Sequence, residues 1–212
     1  MYVPKHFAEE RIDVLHRTMR DIAVATIVSN GPGGLIASHV PIELDDEPTP
    51  HGTVFCHFAK SNPHASAIAG GGEVLLIFQG PQGYITPSWY PTKRETGKVV
   101  PTWNYVAIHA YGEAAVYDDP ARLRRHLAAL TAHNEAAFAE PWGLDDAPDE
   151  FIAGMVRGIL GVEIRLGRIE GKWKMSQNRG EADRAGVVDG LRARGDDASR
   201  SMAALVARAD ED

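Results

Sequence analysis

The stretch HFAKSNPHAS, residues 57–66, sets His57 at the end of an apolar run and Lys60-Ser61 just ahead of Asn62-Pro63. Asn is a preferred helix N-cap and proline suits the first helical position, so a helix is expected to open here with free amides facing the preceding turn. Amides at a helix start attract anions, and an ammonium and a hydroxyl beside them complete a plausible phosphate cradle. Taken alone, the segment reads more readily as an ordinary cap with a solvated lysine than as a phosphate site. Upstream, IASHVP (residues 36–41) ends a strand with the polar pair Ser38-His39, followed by Val40 and Pro41. A proline without an N–H suits a sheet edge, where the edge of a cofactor could dock.

Two later segments add other chemistry. GYITPSWYPTKRETGKVVPTWNY, residues 83–105, crowds Tyr84, Trp89, Tyr90, Trp103 and Tyr105 around prolines, with Ser88, Thr102 and Asn104 nearby. Flat apolar faces with a polar rim suit an aromatic ring, although the same composition would also pack over a core or a second subunit. GKWKMSQNR, residues 171–179, brings Lys172, Lys174 and Arg179 close to Arg165 and Arg168 and adds Ser176, Gln177 and Asn178. That set could hold phosphate or carbonyl oxygens. The 9 histidines lie apart, with no HxH or HExxH spacing, which argues against a metal site. No Walker or GxGxxG loop is present, and no nucleophile, acid and base set stands out, so catalytic residues stay unassigned.

The elements that must position these groups follow from the patterning. Residues 8–20 place Ile12, Leu15 and Met19 at helical spacing. Residues 21–29 and 35–44 read as a hairpin around the turn residues 30–34. Residues 53–59 form the next strand, and the helix opened by Asn62-Pro63 ends at Gly70-Gly71-Gly72. Residues 73–78 are a buried strand; residues 104–117 a long one with Gly112 as a bulge or kink. Asp119-Pro120 opens a helix with Leu123, Leu127 and Leu130 as its buried stripe. Residues 150–159 read as another helix, residues 162–175 as two strands turning near Glu170-Gly171, and the chain from about 181 as helical. The fold class expected is α+β: one domain over 1–212, an antiparallel barrel with outer helices and a C-terminal helical extension.

Composition narrows the function classes. A formal net charge of −7 repels phosphate backbones, so direct DNA binding would need a local basic patch. Cys56 is the single cysteine, which rules out an intrachain disulfide and points to a reducing compartment. The N-terminal MYVPKHFAEERID has no apolar core of a signal peptide, and no later run approaches the length of a membrane span, so a cytoplasmic location is expected.

Taken together, MYVPKHF, IASHVP, HFAKSNPH, VLLIFQGPQGYITPSWY, VVPTWNY with HAYGEA, and KMSQNR resemble the PaiB-type family of FMN-binding negative transcriptional regulators, over nearly the whole chain. The resemblance implies an FMN-binding split β-barrel of Greek-key type, working as a homodimer with the flavin at the subunit interface. It implies flavin contacts from Ser38, His39, Val40, His57, Lys60, Ser61, Asn62, Trp89, Thr102, Trp103, Asn104, Lys174, Ser176 and Gln177. The chain departs from the family in carrying Ala65 where members often have Trp, and Lys60 at a position that varies among them. The implied roles are a regulator acting through a partner or a sensed ligand, or a flavin-dependent redox protein with an unidentified small-molecule redox partner. A further alternative is a haem-handling split barrel, with His39, His57 and His109 as candidate ligands.

Overall fold

A computed structural model describes residues 1–47 and 49–208. Its elements are β1 (Ala8–Glu9), α1 (Ile12–Ile22), β2 (Val24–Gly31), β3 (Gly34–Pro41), β4 (Glu43–Asp45), β5 (Thr53–Ala59), α2 (Pro63–Ala69), β6 (Glu73–Ile85), α3 (Thr92–Glu95), β7 (Thr102–Tyr117), α4 (Pro120–Glu135), α5 (Asp149–Arg157), β8 (Ile159–Lys174), α6 (Glu181–Arg194) and α7 (Asp197–Arg208). Hydrogen-bonded strands follow the order β3-β2-β6-β7-β8-β5-β4, with β1 paired to β8. The path is open, and β3 also lies against β5, so the sheet curls as a split barrel does. The chain divides into two compact units: residues 12–78 with 109–169, and residues 1–11 with 79–108 and 170–212.

In the first unit β2 pairs with β3 and β6, and β5 pairs with β4 and β8, all antiparallel. Ala25, Ile27, Val54, Cys56, Phe58, Leu76, Val162 and Ile164 are buried at alternate strand positions, as the two-residue side-chain period requires. Helix α1 buries Leu15 and Met19, while Ile12 is exposed and His16 takes its place, with Nε2 3.0 Å from the His51 carbonyl. On α4, Asp119 accepts from the Arg122 amide as the N-cap, and the buried residues are Leu123 and His126; Leu127 and Leu130 are half-buried. Leu123 joins Ile152 and Val156 of α5 in a satellite cluster. Gly112 answers to close approach: a Cβ there would lie 2.3 Å from the Arg165 carbonyl oxygen.

The second unit centres on Ile85, Tyr90, Val106, Met175, Val187, Leu191, Met202 and Val206. The strand pair expected over 162–175 is instead the single strand β8. Gly171 does not turn because β1 claims its backbone, pairing Glu9 with Gly171 and Ala8 with Lys172. Strand β6 likewise runs beyond residue 78, through Gly80-Pro81, to Ile85.

Candidate functional site

In the first unit the β5–α2 turn folds as its residues dictate. Asn62 caps α2, its Oδ1 accepting from the His64 amide at 3.0 Å, with Pro63 at the first helical position. The same side chain reaches β3, Nδ2 lying 3.4 Å from Ser38 Oγ. His64, fully buried, bridges the strands: its Nδ1 is 2.9 Å from Ser38 Oγ and its Nε2 3.0 Å from Ser29 Oγ. Burial pushes the His64 pKa down, so the ring is neutral at neutral pH. His39 is exposed, with Nδ1 2.9 Å from Thr26 Oγ1, while its neighbour Val40 is buried. Lys60 Nζ pairs with Asp118 at 2.8 Å, both side chains largely in water. Such a pair contributes at most about 1 kcal/mol, so the ammonium is readily recruited by a stronger anion. Ser61 is exposed, and its amide and hydroxyl have no partner among the described residues.

His57 stands apart from this cluster. It alternates with Phe58, whose ring packs on His64, so the His57 ring leaves the other face of β5. There its Nδ1 lies 3.0 Å from Nε2 of His126, whose Nδ1 lies 3.2 Å from Glu43 Oε2. Burial and the adjacent His126 push the His57 pKa down. Beside this carboxylate–imidazole–imidazole chain is a cavity of about 360 Å³ lined by Phe55, Tyr117, Arg122 and Glu163 as well as Glu43 and His126. Patterning missed Glu43 and His126 because three separate elements bring them together. Ser29 and His64 were missed as well, although His64 directly follows the Asn62-Pro63 helix start.

In the second unit most of the nominated polar groups are engaged. Asn104 is fully buried and bonds Ser176, Nδ2 to Oγ at 2.9 Å; Ser176 adopts φ 63°, a left-handed conformation that side chains disfavour. Both ends of the Gln177 amide hold its own turn, accepting from the Met175 amide and donating to the Trp173 carbonyl. Lys174 donates to Thr102 Oγ1. The other basic side chains are also engaged: Arg179 lies over Tyr90, Lys172 donates to the Tyr2 carbonyl, and in the first unit Arg168 lies over Tyr111 and Arg165 pairs with Glu163.

The aromatic segment divides in two. Tyr90 is buried, and Trp89 packs on α6, where a Cβ on Gly190 would fall 2.2 Å from its ring. Tyr84 and Trp103, on β6 and β7, stay 41% and 52% exposed in an edge-to-face pair with centroids 5.9 Å apart. Trp103 is therefore the indole available to a flat ligand.

The family model described as "Putative FMN-binding domain" matches residues 1–168. The chain belongs to this FMN-binding family. Its cofactor is FMN, as the PaiB-type resemblance implied. The chain is similar to an uncharacterized protein of Aspergillus fumigatus, 36% identical over 97% of this chain and 96% of that protein. It is similar also to the protease synthase and sporulation protein PAI 2 of Bacillus subtilis, 31% identical over 97% of this chain and 96% of that one. Among solved structures, the FAD and heme binding protein from Mycobacterium smegmatis matches in fold with a TM-score of 0.58 at 16% identity, over 83% of this chain and 77% of that chain. The fold of this FMN-binding protein is the α+β split barrel expected from its sequence. Among the described residues no helix is long and apolar enough to cross a membrane.

Proposed function

We propose that this protein binds FMN at the β5–α2 turn, with the phosphate facing Lys60 and Ser61 and an oxygen of the flavin facing Ser38, and that it works in the cytoplasm as a homodimer with the flavin at the subunit interface. The observation that carries this reading is the donor set itself. Lys60 offers an exposed ammonium, Ser61 an unpaired amide and hydroxyl, and Ser38 a hydroxyl held by Asn62 and His64. These are donors matched to a phosphate and to carbonyl oxygens. Bound FMN supplies electron and hydride transfer; the chain's own groups bind and orient it. His39 and Val40 on β3 and Asn62 complete the proposed polar end. In the second unit, taken by itself, Trp103 is proposed to offer its exposed face to a flat ligand, and Trp89, Thr102, Asn104, Lys174, Ser176 and Gln177 are proposed to hold their strands and turns in shape. The chain is read as one domain with a helical extension from about 181.

The regulatory role is proposed to be indirect, through a partner or through the state of the flavin. Helices α4 and α5 are too far apart in sequence for a helix-turn-helix. Helices α6 and α7 are joined by Gly195-Asp196 and mix Glu181, Asp189 and Asp197 with Arg184, Arg192 and Arg200, which makes a poor phosphate-binding face. Titration of the apoprotein with FMN, followed by flavin fluorescence and by solution mass, tests the reading. One FMN per chain in a dimer is expected; a monomer that leaves the fluorescence unchanged would count against both parts.

Haem is the second reading. The solved structure of similar fold is described as FAD and heme binding, and His39 offers Nε2 free of any partner among the described residues. A Soret band in the purified protein, lost in His39→Ala, would favour it.

A further inference from the structure

Each hydrogen bond around Ser38 has a defined direction. The Asn62 amide is oriented by the His64 N–H, which donates to Oδ1; the group facing Ser38 Oγ is therefore Nδ2, a donor. At the far end, Ser29 is 6% exposed, and the Nε2 of His64 is the sole side-chain partner of its hydroxyl among the described residues. A buried hydroxyl that keeps its proton unshared is costly, so Ser29 donates to Nε2. A neutral imidazole that accepts at Nε2 carries its proton at Nδ1. Nδ1–H then donates to Ser38 Oγ, 2.9 Å away. Ser38 thus receives a hydrogen bond from His64 and another from Asn62, which fills both lone pairs of its oxygen. What remains is its own O–H, on a half-buried residue of β3.

We propose that His64 is a positioning residue that, with Ser29 and Asn62, makes the Ser38 hydroxyl an obligate donor to an acceptor oxygen of FMN. The inference rests on the flavin reading above and deepens it: Ser38 selects an acceptor and rejects a donor at that point of the ligand. Phosphate, ribityl and ring oxygens share this chemistry, and riboflavin separates the first from the others.

The first test needs no flavin. In apoprotein labelled with 15N histidine, Nε2 of His64 should show the shift of an unprotonated ring nitrogen and Nδ1 that of a protonated one. The opposite tautomer would overturn the proposal. In the second test, FMN affinity is measured for Ser38→Ala and for two His64 variants. His64→Asn places an amide donor near the old Nδ1, whereas His64→Gln places its polar group near Nε2. Ser38→Ala and His64→Gln should each weaken FMN about tenfold, the equivalent of about 1.4 kcal/mol; His64→Asn should recover affinity to within about threefold of the original. Loss shared by riboflavin assigns the acceptor to the ring or ribityl chain, and loss confined to FMN assigns it to the phosphate; both support the donor role. FMN binding by Ser38→Ala at the original affinity would overturn the donor role while leaving the flavin reading intact. Absence of FMN binding by the unaltered protein would instead sink the flavin reading and this inference with it, whatever the tautomer.

Discussion

Replacing Gly190 by alanine should destabilise this protein, although the same change in an open helix would stabilise it. Alanine is favoured over glycine in a helix interior by about 1 kcal/mol. Against that gain, a Cβ at residue 190 would lie 2.2 Å from Cδ2 and 2.3 Å from Cε2 of Trp89, well inside contact distance. The indole is rigid and half-buried against α6, so it must leave its rotamer or push the helix away; overpacking of this kind costs about 1–3 kcal/mol, and the overlap with a fused ring puts the cost near the upper end. A net loss of about 1–2 kcal/mol is expected. At Gly186 the clash is with the Trp89 carbonyl oxygen, 2.0 Å away, and backbone cannot swing aside, so Gly186→Ala should cost more. Urea unfolding gives both values. The cycle with Trp89→Ala isolates the cause: in that background Gly190→Ala should turn neutral or stabilising by up to about 1 kcal/mol. A Gly190→Ala protein that is more stable than the original would refute the packing of Trp89 against α6.

Other outcomes follow from the same contacts. His57 and His64 have pKa values pushed below their ordinary value by burial, with His126 adding to the effect at His57. The unfolded chain therefore binds more protons near pH 6 than the folded one, and stability should be level above about pH 6.5 and fall as pH drops through 6.5 towards the folded values, by at most about 1.4 kcal/mol per pH unit for each ring. Replacing His64 with Asn should flatten part of that slope; an unchanged profile would place the proton uptake elsewhere. Burial pushes the Cys56 thiol up to about 12. The native protein should accordingly resist thiol reagents at pH 8 and react fully in denaturant. Lys60→Ala, which removes one exposed ion pair, should shift the unfolding free energy by less than about 1 kcal/mol.

Local chemistry was legible where it acts over a few residues. Helix α2 spans the expected residues because Asn62 caps it, Pro63 starts it and three glycines end it. Strand β5 matches because Val54, Cys56 and Phe58 alternate with less buried neighbours. Groups meeting across long separations were not legible. Gly171 reads as a turn until β1, over 160 residues upstream, pairs with it. Trp89 reads as a ligand wall until α6 supplies Gly190, which admits its indole, and Gly186, which admits its carbonyl. The basic run over 165–179 reads as an open anion site, yet Arg168 and Arg179 lie over Tyr111 and Tyr90. Within the proposed site, Ser38 and Asn62 were nominated from their segments, whereas the His64 bridge between them needed β2 and β3 in register.

The most direct measurement compares FMN with riboflavin by calorimetric titration of the apoprotein, before and after Lys60→Ala. If the β5–α2 turn holds the phosphate, FMN should bind at least tenfold tighter than riboflavin, and Lys60→Ala should erase most of that margin while leaving riboflavin affinity and stability nearly unchanged. Equal affinity for the two flavins, or a margin indifferent to Lys60, would contradict the assignment.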